Sequence, residues 1–212
     1  MNYTEDIKRY VETCREAFWQ NIFRFETEYL ISRLKNCRDV LSVGCGPAII
    51  EGRLSGHGFN VTGLDISREA LKCAPDSVRT FAGRAEEMPF TESSFDAVIY
   101  VASLQFIEDY QKALQQSFVV LKHEGRIIVM LLNPQSDFFK ERLLEPDSYV
   151  NLIRHIDLNE IEKAVEELFT VQTEYILGVR DENIFESREP YEAALYVIVG
   201  KKKRTQLKKE IK

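Results

Sequence analysis

The chain has 212 residues, of which 44% are hydrophobic and 29% charged, and this composition is typical of one folded domain rather than of a disordered protein. Its formal charge of −6 is unevenly distributed, because the last twelve residues carry seven Lys or Arg and one Glu and leave −12 for residues 1–200. An acidic body argues against a groove that follows nucleic-acid phosphates, so nucleic acid is not expected as a partner. Residues 201–212 are expected to form a basic, disordered tail.

The sequence predicts a cytoplasmic protein without a membrane anchor. No stretch approaches the roughly 20 apolar residues that cross a bilayer, and the N-terminus lacks the basic start and apolar run of a secretory signal. The four cysteines show no CxxC spacing and the three histidines are scattered. This favours free thiols in a reducing compartment and predicts no metal site.

Residues 5–35 are predicted to form one or two amphipathic helices, because apolar side chains recur at steps of three and four residues. Four aromatic residues cluster here and include the only tryptophan: Phe18, Trp19, Phe23 and Phe25. They are expected either to pack on a sheet or to form a lid over a ligand site, and both interpretations remain open. Residues 1–37 are therefore assigned as an N-terminal helical cap or lid.

From Asp39 onward, strands and helices are predicted to alternate. Apolar runs bounded by turn residues indicate five buried parallel strands, at 40–43, 60–64, 78–82, 95–101 and 126–132. A helix over 157–168 and strands over 170–177 and 193–199 are expected to close the chain with a hairpin that places an antiparallel strand in the sheet. The predicted fold over 38–200 is α/β, with a doubly wound, mostly parallel sheet and helices on both faces.

The most informative stretch is 39–65, where one apolar run breaks into Gly44-Cys45-Gly46-Pro47 and a second ends on Asp65. Glycines after a strand let backbone approach a ligand, and the next helix presents its positive N-terminus. An acid at the end of the second strand can accept hydrogen bonds from ribose hydroxyls. The stretch therefore predicts a site for a nucleoside-bearing cofactor. Ile49, in the sixth place of the motif, is poorly suited to the dinucleotide fingerprint, whose third glycine permits close packing.

Four segments, in the right order and spacing, resemble one family: the class I, seven-stranded S-adenosylmethionine-dependent methyltransferases, and among them the type-11-like small-molecule group. The resemblance covers residues 39–132 almost without a gap, and the segments read LSVGCGPA, VTGLDIS, GRAEEMPFTESSFDAVIYVASLQFIED and LKHEGRIIVMLLNP. The resemblance implies seven strands, with the last inserted antiparallel between the fifth and sixth. It also implies S-adenosyl-L-methionine as cofactor and S-adenosyl-L-homocysteine as product.

The resemblance further implies eight residues that contact the cofactor: Gly44, Cys45, Gly46, Asp65, Ile66, Ala85, Glu86 and Val101. The glycine turn would lie against the methionine and ribose portions, Asp65 would accept from the ribose hydroxyls, and Val101 would pass beneath the sulfonium. The adenine would contact Ile66, the backbone of Ala85 and the carboxylate of Glu86.

Three positions depart from the family's pattern. Ser42 stands where an acid usually helps to hold the methionine ammonium, and Arg84 stands where an Asp usually accepts from the adenine amine. Ala48 replaces the third small glycine, which is a milder change. Glu86 could substitute as the adenine acceptor.

The acidic body and the absence of an appended recognition domain favour a small-molecule methyl acceptor; the sequence does not indicate an oligomeric state. The chain after the fourth strand reads Tyr100-Val101-Ala102-Ser103, without the Asn/Asp-Pro-Pro-aromatic segment of enzymes that methylate amines of bases or glutamine. If a general base is used, His155 is the candidate, with Tyr149 as its companion, because both follow the fifth strand where acceptor sites are often built. Two other functions remain open: an RNA or protein methyltransferase that docks through the basic tail, and a non-catalytic S-adenosylmethionine-binding protein.

Overall fold

Eight strands form one mixed sheet in the computed structural model, which describes residues 9–203. The strands are β1 (Asp39–Val43), β2 (Asn60–Asp65), β3 (Arg79–Ala82), β4 (Phe95–Val101), β5 (Leu121–Leu132), β6 (Phe169–Arg180), β7 (Asn183–Phe185) and β8 (Ala193–Lys202). Their order across the sheet is β3-β2-β1-β4-β5-β8-β6-β7, and β1 to β5 are parallel.

Helices flank the strands, and most of them begin where a short polar side chain caps the first turn. They are α1 (Ala17–Arg33), α2 (Ile49–Gly56), α3 (Arg68–Leu71), α4 (Tyr110–Val120), α5 (Asp137–Leu143) and α6 (Leu158–Leu168), with 3-10 turns at Ala85–Glu87, Leu104–Phe106 and Tyr149–Leu152. The side chains of Asp109, Ser136 and Asp157 accept hydrogen bonds from backbone N–H groups in the first turns of α4, α5 and α6. These bonds satisfy donors that have no partner within the helix.

The C-terminal strands confirm the predicted insertion. Strand β8 is antiparallel to both of its neighbours, with Ile198 opposite Val129 of β5 and Thr173 of β6. The predicted fold class is confirmed, with one strand more than the seven predicted. The extra strand is β7, three residues within the charged stretch 180–189, which pairs with the end of β6 at the edge of the sheet.

Alternating residues of the sheet build two hydrophobic cores, one on each face. On one face, Val40, Ile99 and Ile128 belong to a cluster that includes α1 and α2 residues Leu30 and Leu54. On the other face, Leu41, Val98 and Ile127 of the sheet belong to a second cluster. This cluster also includes Leu114 of α4 and Val165 of α6. Helices therefore cover both faces, as the apolar strands predict.

The observed bounds of several helices and strands differ from the predicted ones. Residues 9–13 and α1 are helical, in agreement with the helices predicted over 5–35; residues 5–8 lie outside the described part. Strand β5 begins at Leu121 rather than 126, and β8 extends to Lys202 rather than 199, so that Lys201 pairs with Arg126. Residues 201 and 202, assigned to the tail from sequence, thus belong to the sheet, whereas 204–212 lie outside the described residues. Within the described chain, none of the helices has the length and apolarity that a membrane span requires.

The carboxylate of Glu174 on β6 anchors α1 to the sheet. It accepts a hydrogen bond from the Tyr29 hydroxyl at 2.8 Å and forms ion pairs with Arg33 of α1 and with Arg188. Burial alone would raise the pKa of Glu174, but hydrogen bonds from Tyr29 and Arg188 and the charge of Arg33 outweigh burial and hold the pKa below its usual value. The ionised carboxylate is therefore the form that holds α1 in place.

We expect Glu174→Gln to lower the free energy of unfolding by about 1–3 kcal/mol, because hydrogen bonds to a charged acceptor are replaced by weaker ones. Urea denaturation at pH 7 measures the change. Glu166→Gln, on the exposed side of α6, is the matched control and should stay within about 0.5 kcal/mol of the native protein. Equal unfolding free energies for the two variants would contradict the anchoring role.

Candidate active site

A cavity of about 290 Å³ opens where β1 and β4 end. The glycine turn after β1 and the start of α2 line one side, and residues of α1 line the other. The end of β4, Phe106, Phe138 and Tyr149 complete the wall, together with residues of β6 and β8. Most of the lining side chains are apolar, and two carboxyl groups, those of Glu26 and Glu51, are among them.

The glycine turn is fixed by backbone geometry that side chains would obstruct. Gly44 has φ +73°, and a Cβ there would lie 2.5 Å from the Cβ of Ser103, whose hydroxyl donates to the Val43 carbonyl at 2.6 Å. Gly46 has φ +53°, yet a Cβ there would meet nothing within 4 Å. Gly44 is thus required for packing, whereas the space beside Gly46 is open to a ligand.

Asp65 connects the end of β2 to this turn. Its Oδ2 accepts a hydrogen bond from the Gly46 N–H at 2.7 Å, and its Oδ1 accepts one from the Ser67 N–H at 2.7 Å. Each carboxylate oxygen has a further lone pair, so both oxygens remain able to accept from ribose hydroxyls. The ribose role of Asp65 stays a prediction, and this geometry is compatible with it.

The backbone of Cys45 lines the cavity side of the turn, whereas its thiol faces the sheet. A Cβ on Gly63 of β2 would lie 2.6 Å from the Cys45 Sγ, which places the sulfur against β2. Burial raises the pKa of this thiol, with a further contribution from the charge of Glu51. The thiol is therefore packed and protonated and is not a nucleophile.

The three residues predicted to contact adenine lie outside the cavity lining, in the part beside the ends of β2 and β3. Ile66 is 64% exposed, which is unusual for a large apolar side chain and leaves its surface free for a ring. Ala85 is buried at the start of a 3-10 turn, and the buried Glu86 accepts a hydrogen bond from Arg84 at 2.8 Å. Arg84 therefore holds the carboxylate that could replace the missing adenine acceptor.

Glu51, which the sequence did not single out, supplies a carboxylate beside Ser42. The Ser42 hydroxyl donates to Glu51 Oε1 at 2.5 Å, and the two residues are 1% and 3% exposed. Burial raises the pKa of Glu51 to about 7, although the hydrogen bond from Ser42 opposes this shift. The acid that is absent at Ser42 thus enters the site from the first turn of α2, where the helix N-terminus favours negative charge.

A second carboxyl group, that of Glu26, reaches the cavity from α1. Glu26 is 5% exposed, and among the described residues its carboxyl has no hydrogen-bond donor. Burial raises its pKa to about 8, with a further contribution from the charge of Glu51. Glu26 shares a helix face with Ile22 and Leu30, four residues before and after it. An acid in that apolar series is the pattern from which the sequence could have identified it.

Aromatic rings from four segments form one wall of the cavity. The Trp19 ring packs edge-on against Tyr149 and Phe138, at centroid distances of 6.2 and 6.4 Å, and Tyr149 stacks on Phe106 at 6.4 Å. The N-terminal aromatic residues pack on the hydrophobic core of one sheet face, and Trp19 also lines the cavity, so that the lid role stays a prediction.

The structure brings Tyr149 and Val101 to the cavity but places His155 elsewhere. Among the residues that line the cavity, Tyr149 and Val101 occur and His155 does not. The His155 Nε2 lies 3.0 Å from the Ile107 carbonyl oxygen, and the ring packs edge-on against Tyr110 at 4.7 Å. A ring nitrogen beside a carbonyl oxygen acts as a donor, so this nitrogen is engaged in holding the loop.

The two buried carboxyl groups predict a pH dependence of stability. Their pKa values in the folded protein, about 8 for Glu26 and about 7 for Glu51, exceed the ordinary value of 4.5. The folded state thus binds protons that the unfolded state has released, and the stabilisation is lost as pH rises through 7 and 8. Between pH 5 and pH 8.5 we expect the free energy of unfolding to fall by at least about 2 kcal/mol. Urea denaturation checks this.

The double variant Glu26→Gln with Glu51→Gln should remove this decline, since glutamine does not titrate. Glu28→Gln, on the exposed side of α1, should retain it. A double variant that still loses stability over this range, in parallel with the native protein, would contradict the assignment.

Comparison with known proteins shows which family and which relatives the chain resembles. Residues 41–129 match a family model described as a methyltransferase domain. A demethylmenaquinone methyltransferase from Listeria welshimeri is 34% identical over 116 residues, which cover 50% of this chain and 49% of that protein. A biotin biosynthesis bifunctional protein, BioHC, from Cellvibrio japonicus is 28% identical over 145 residues, which cover 66% of this chain and 29% of that protein. The chain therefore spans about half, or less, of the length of these relatives.

A solved structure shares the fold over nearly the whole described chain. It is a SAM-dependent methyltransferase from Thermotoga maritima, described as a possible histamine N-methyltransferase, with a TM-score of 0.75 and 21% identity over 94% of this chain and 99% of that one. At this identity the similarity concerns the fold alone. The domain match, the sheet order and the four sequence segments converge on the same site, and the chain carries, over residues 41–129, the domain of class I, type-11-like S-adenosylmethionine-dependent methyltransferases.

Proposed function

We propose that the protein transfers a methyl group from S-adenosyl-L-methionine to a small molecule bound in the cavity. The observation that carries this proposal is the continuity of the cavity: its wall includes the glycine turn, Gly44 and Gly46, and also the aromatic side chains Trp19 and Phe106. A cofactor on the turn would therefore direct its methyl group into a concave, largely apolar space. Such spaces are typical of small-molecule sites.

The residues present fit the cofactor. Asp65 would hold the ribose, and the N–H group that it fixes at Gly46 would be presented beside it. The carboxylate of Glu51 would attract the methionine ammonium, and the exposed Ile66 would pack on the adenine. When bound, the cofactor supplies a methyl group on a sulfonium, which is an electrophile without further activation.

The protein's contribution to the transfer is chiefly positioning and exclusion of water. Val101 and Ala102 end β4 at the cavity and would fix the position of the transferring group from below. The α1 helix would act as the lid predicted from sequence, because Trp19, Ile22 and Phe23 form part of the wall opposite the turn. An aligned, water-free approach of the acceptor supplies much of the rate enhancement in such reactions.

A small-molecule acceptor is favoured over a macromolecule by the small volume of this space, about 290 Å³. The names of relatives, demethylmenaquinone methyltransferase and a biotin biosynthesis protein, are consistent with it. The alternative, docking of RNA or protein through the basic tail, is tested by removing residues 204–212. Deletion from 201 would also remove residues of β8 and confound the result.

The test of the proposed function combines binding and transfer. Calorimetry should detect binding of S-adenosyl-L-methionine to the native protein, and we expect Asp65→Asn to weaken it by about 10- to 100-fold, the equivalent of one or two charged hydrogen bonds. Asp76→Asn, at an exposed position, is the matched control and should leave the affinity unchanged.

Transfer is measured with the cofactor labelled on its methyl group, incubated with a cell extract divided by size. We expect label in the small-molecule fraction, lost with Asp65→Asn and retained after deletion of 204–212. Label confined to RNA or protein would favour the docking alternative. Binding of the cofactor without transfer to any fraction would favour the non-catalytic alternative.

An exchange of two side chains tests whether Glu51 replaces the missing acid. We expect Glu51→Ser to weaken binding of S-adenosyl-L-methionine by at least tenfold, because the carboxylate opposite the ammonium is lost. Ser42→Asp combined with Glu51→Ser should recover much of the affinity, since it returns the acid to the strand. Calorimetry with both variants checks this, and an unchanged affinity of Glu51→Ser would refute the role.

A further inference from the structure

We propose that the methyl acceptor is an amine and that the carboxylate of Glu26 binds its nitrogen as an ammonium ion and then accepts its proton. The inference rests on the proposed function, because it assigns the acceptor half of the same cavity. It concerns a residue on α1, outside the segment 41–129 that matches the family model.

The first observation is that, among the described residues, the Glu26 carboxyl has no hydrogen-bond donor. The side chain is 95% buried, it lines the cavity, and no described residue donates a hydrogen bond to its carboxyl. A buried carboxyl group without a donor is costly and is normally paired. Glu51, by contrast, already accepts from Ser42 at 2.5 Å. Of the two carboxyl groups, Glu26 is thus the one that a ligand would satisfy.

The second observation is that Glu26 shares one cavity with the cofactor end and with the aromatic wall. Glu51, from the first turn of α2, and Tyr149, from the aromatic wall, line the same cavity as Glu26. Burial, and then the charge of Glu51, raises the pKa of Glu26, and the charge of Glu26 adds to burial in raising the pKa of Tyr149. Glu51 marks the methionine end and Tyr149 the aromatic end, so Glu26 belongs to the wall of the space where an acceptor would meet the methyl group.

The third observation is the chemical nature of the surrounding wall. The rings of Trp19, Phe106 and Tyr149 lie around this space, and aromatic faces attract cations. The Trp19 ring already packs against one cation, because the Arg142 guanidinium lies 5.4 Å from the centre of the ring. A carboxylate and aromatic rings in an otherwise apolar cavity form a site for an organic ammonium ion.

The chemistry balances as follows. The bound ammonium gives one proton to the Glu26 carboxylate and becomes a neutral amine with a free electron pair. That pair forms the new C–N bond to the methyl carbon as the C–S bond breaks, and the electron pair of the C–S bond stays on sulfur. The products are a methylated ammonium ion and a neutral thioether, and Glu26 releases its proton to solvent. The pKa of Glu26, raised to about 8 by burial and by Glu51, approaches that of an amine and permits the exchange.

The experiment uses matched pairs of probes that differ only in the charged group. Benzylamine, 2-phenylethylamine and cyclohexylamine are compared with benzyl alcohol, 2-phenylethanol and cyclohexanol, all added to the protein loaded with S-adenosyl-L-homocysteine. Binding is followed by the fluorescence of Trp19, the only tryptophan in the chain and part of the cavity wall. We expect at least one amine to bind ten times more tightly than its alcohol.

Variants then test whether Glu26 is the cause of the preference for amines over alcohols. Glu26→Gln should abolish it while the affinity for S-adenosyl-L-homocysteine stays within twofold, and Glu26→Asp should retain part of it. Glu28→Gln, on the exposed face of the same helix, should change neither. A thermal melt confirms that each variant is folded, and the comparison of probes on the native protein does not depend on any variant.

Three results would overturn the proposal. The first is that no amine binds the native protein more tightly than its alcohol. The second is that Glu26→Gln keeps the preference for amines. The third is that Glu26→Gln weakens binding of S-adenosyl-L-homocysteine tenfold, which would assign Glu26 to the cofactor. Each of these leaves the proposed function standing, since calorimetry with the cofactor tests that separately. Failure of the native protein to bind the cofactor would instead reject the proposed function.

Discussion

The hydrogen bond from the Gly46 N–H to the Asp65 carboxylate, 2.7 Å long, is the contact on which the site depends. It joins the end of β2 to the turn after β1 and fixes the point at which α2 begins. The turn that follows brings Ala48 to φ +56°, an uncommon value for a residue with a Cβ. Because α2 starts there, Glu51 enters the cavity from its first turn. One carboxylate thus orders the turn and is placed to hold a ligand.

A carboxylate also fixes helix α1, which lines the proposed acceptor half of the cavity. Glu174 fixes the end of this helix to β6 through Tyr29 and Arg33. The helix then presents Trp19 and Glu26, seven residues apart and so on one face, to the cavity. Burial of Glu26 and Glu51 without cations costs stability, and the raised pKa values are the measure of that cost. A cationic ligand would relieve it, so the same cost favours binding.

The sequence predicts the strands, the inserted C-terminal strand and the glycine turn, because these depend on local apolar runs and turn residues. Position by position along the chain, Ser42 stands for a lost acid, whereas in space Glu51, nine residues later, places a carboxylate on the Ser42 hydroxyl. Glu26 escaped notice because its burial depends on which face of α1 meets the sheet. Tyr149 and His155 were paired by proximity in sequence, yet only Tyr149 reaches the cavity, since the chain between them turns away and His155 binds the Ile107 carbonyl.

Some residues of the site lie within the family match and others lie outside it, and this difference matters for identifying the acceptor. The family match covers residues 41–129 and includes Gly46, Glu51 and Asp65, which would hold the cofactor. The residues that shape the acceptor space, Trp19, Glu26 and Tyr149, lie before or after it. A relative that resembles the chain over the cofactor half shares a methyl donor with it but need not share an acceptor. The acceptor is therefore better inferred from the charge and rings of this wall than from the names of relatives.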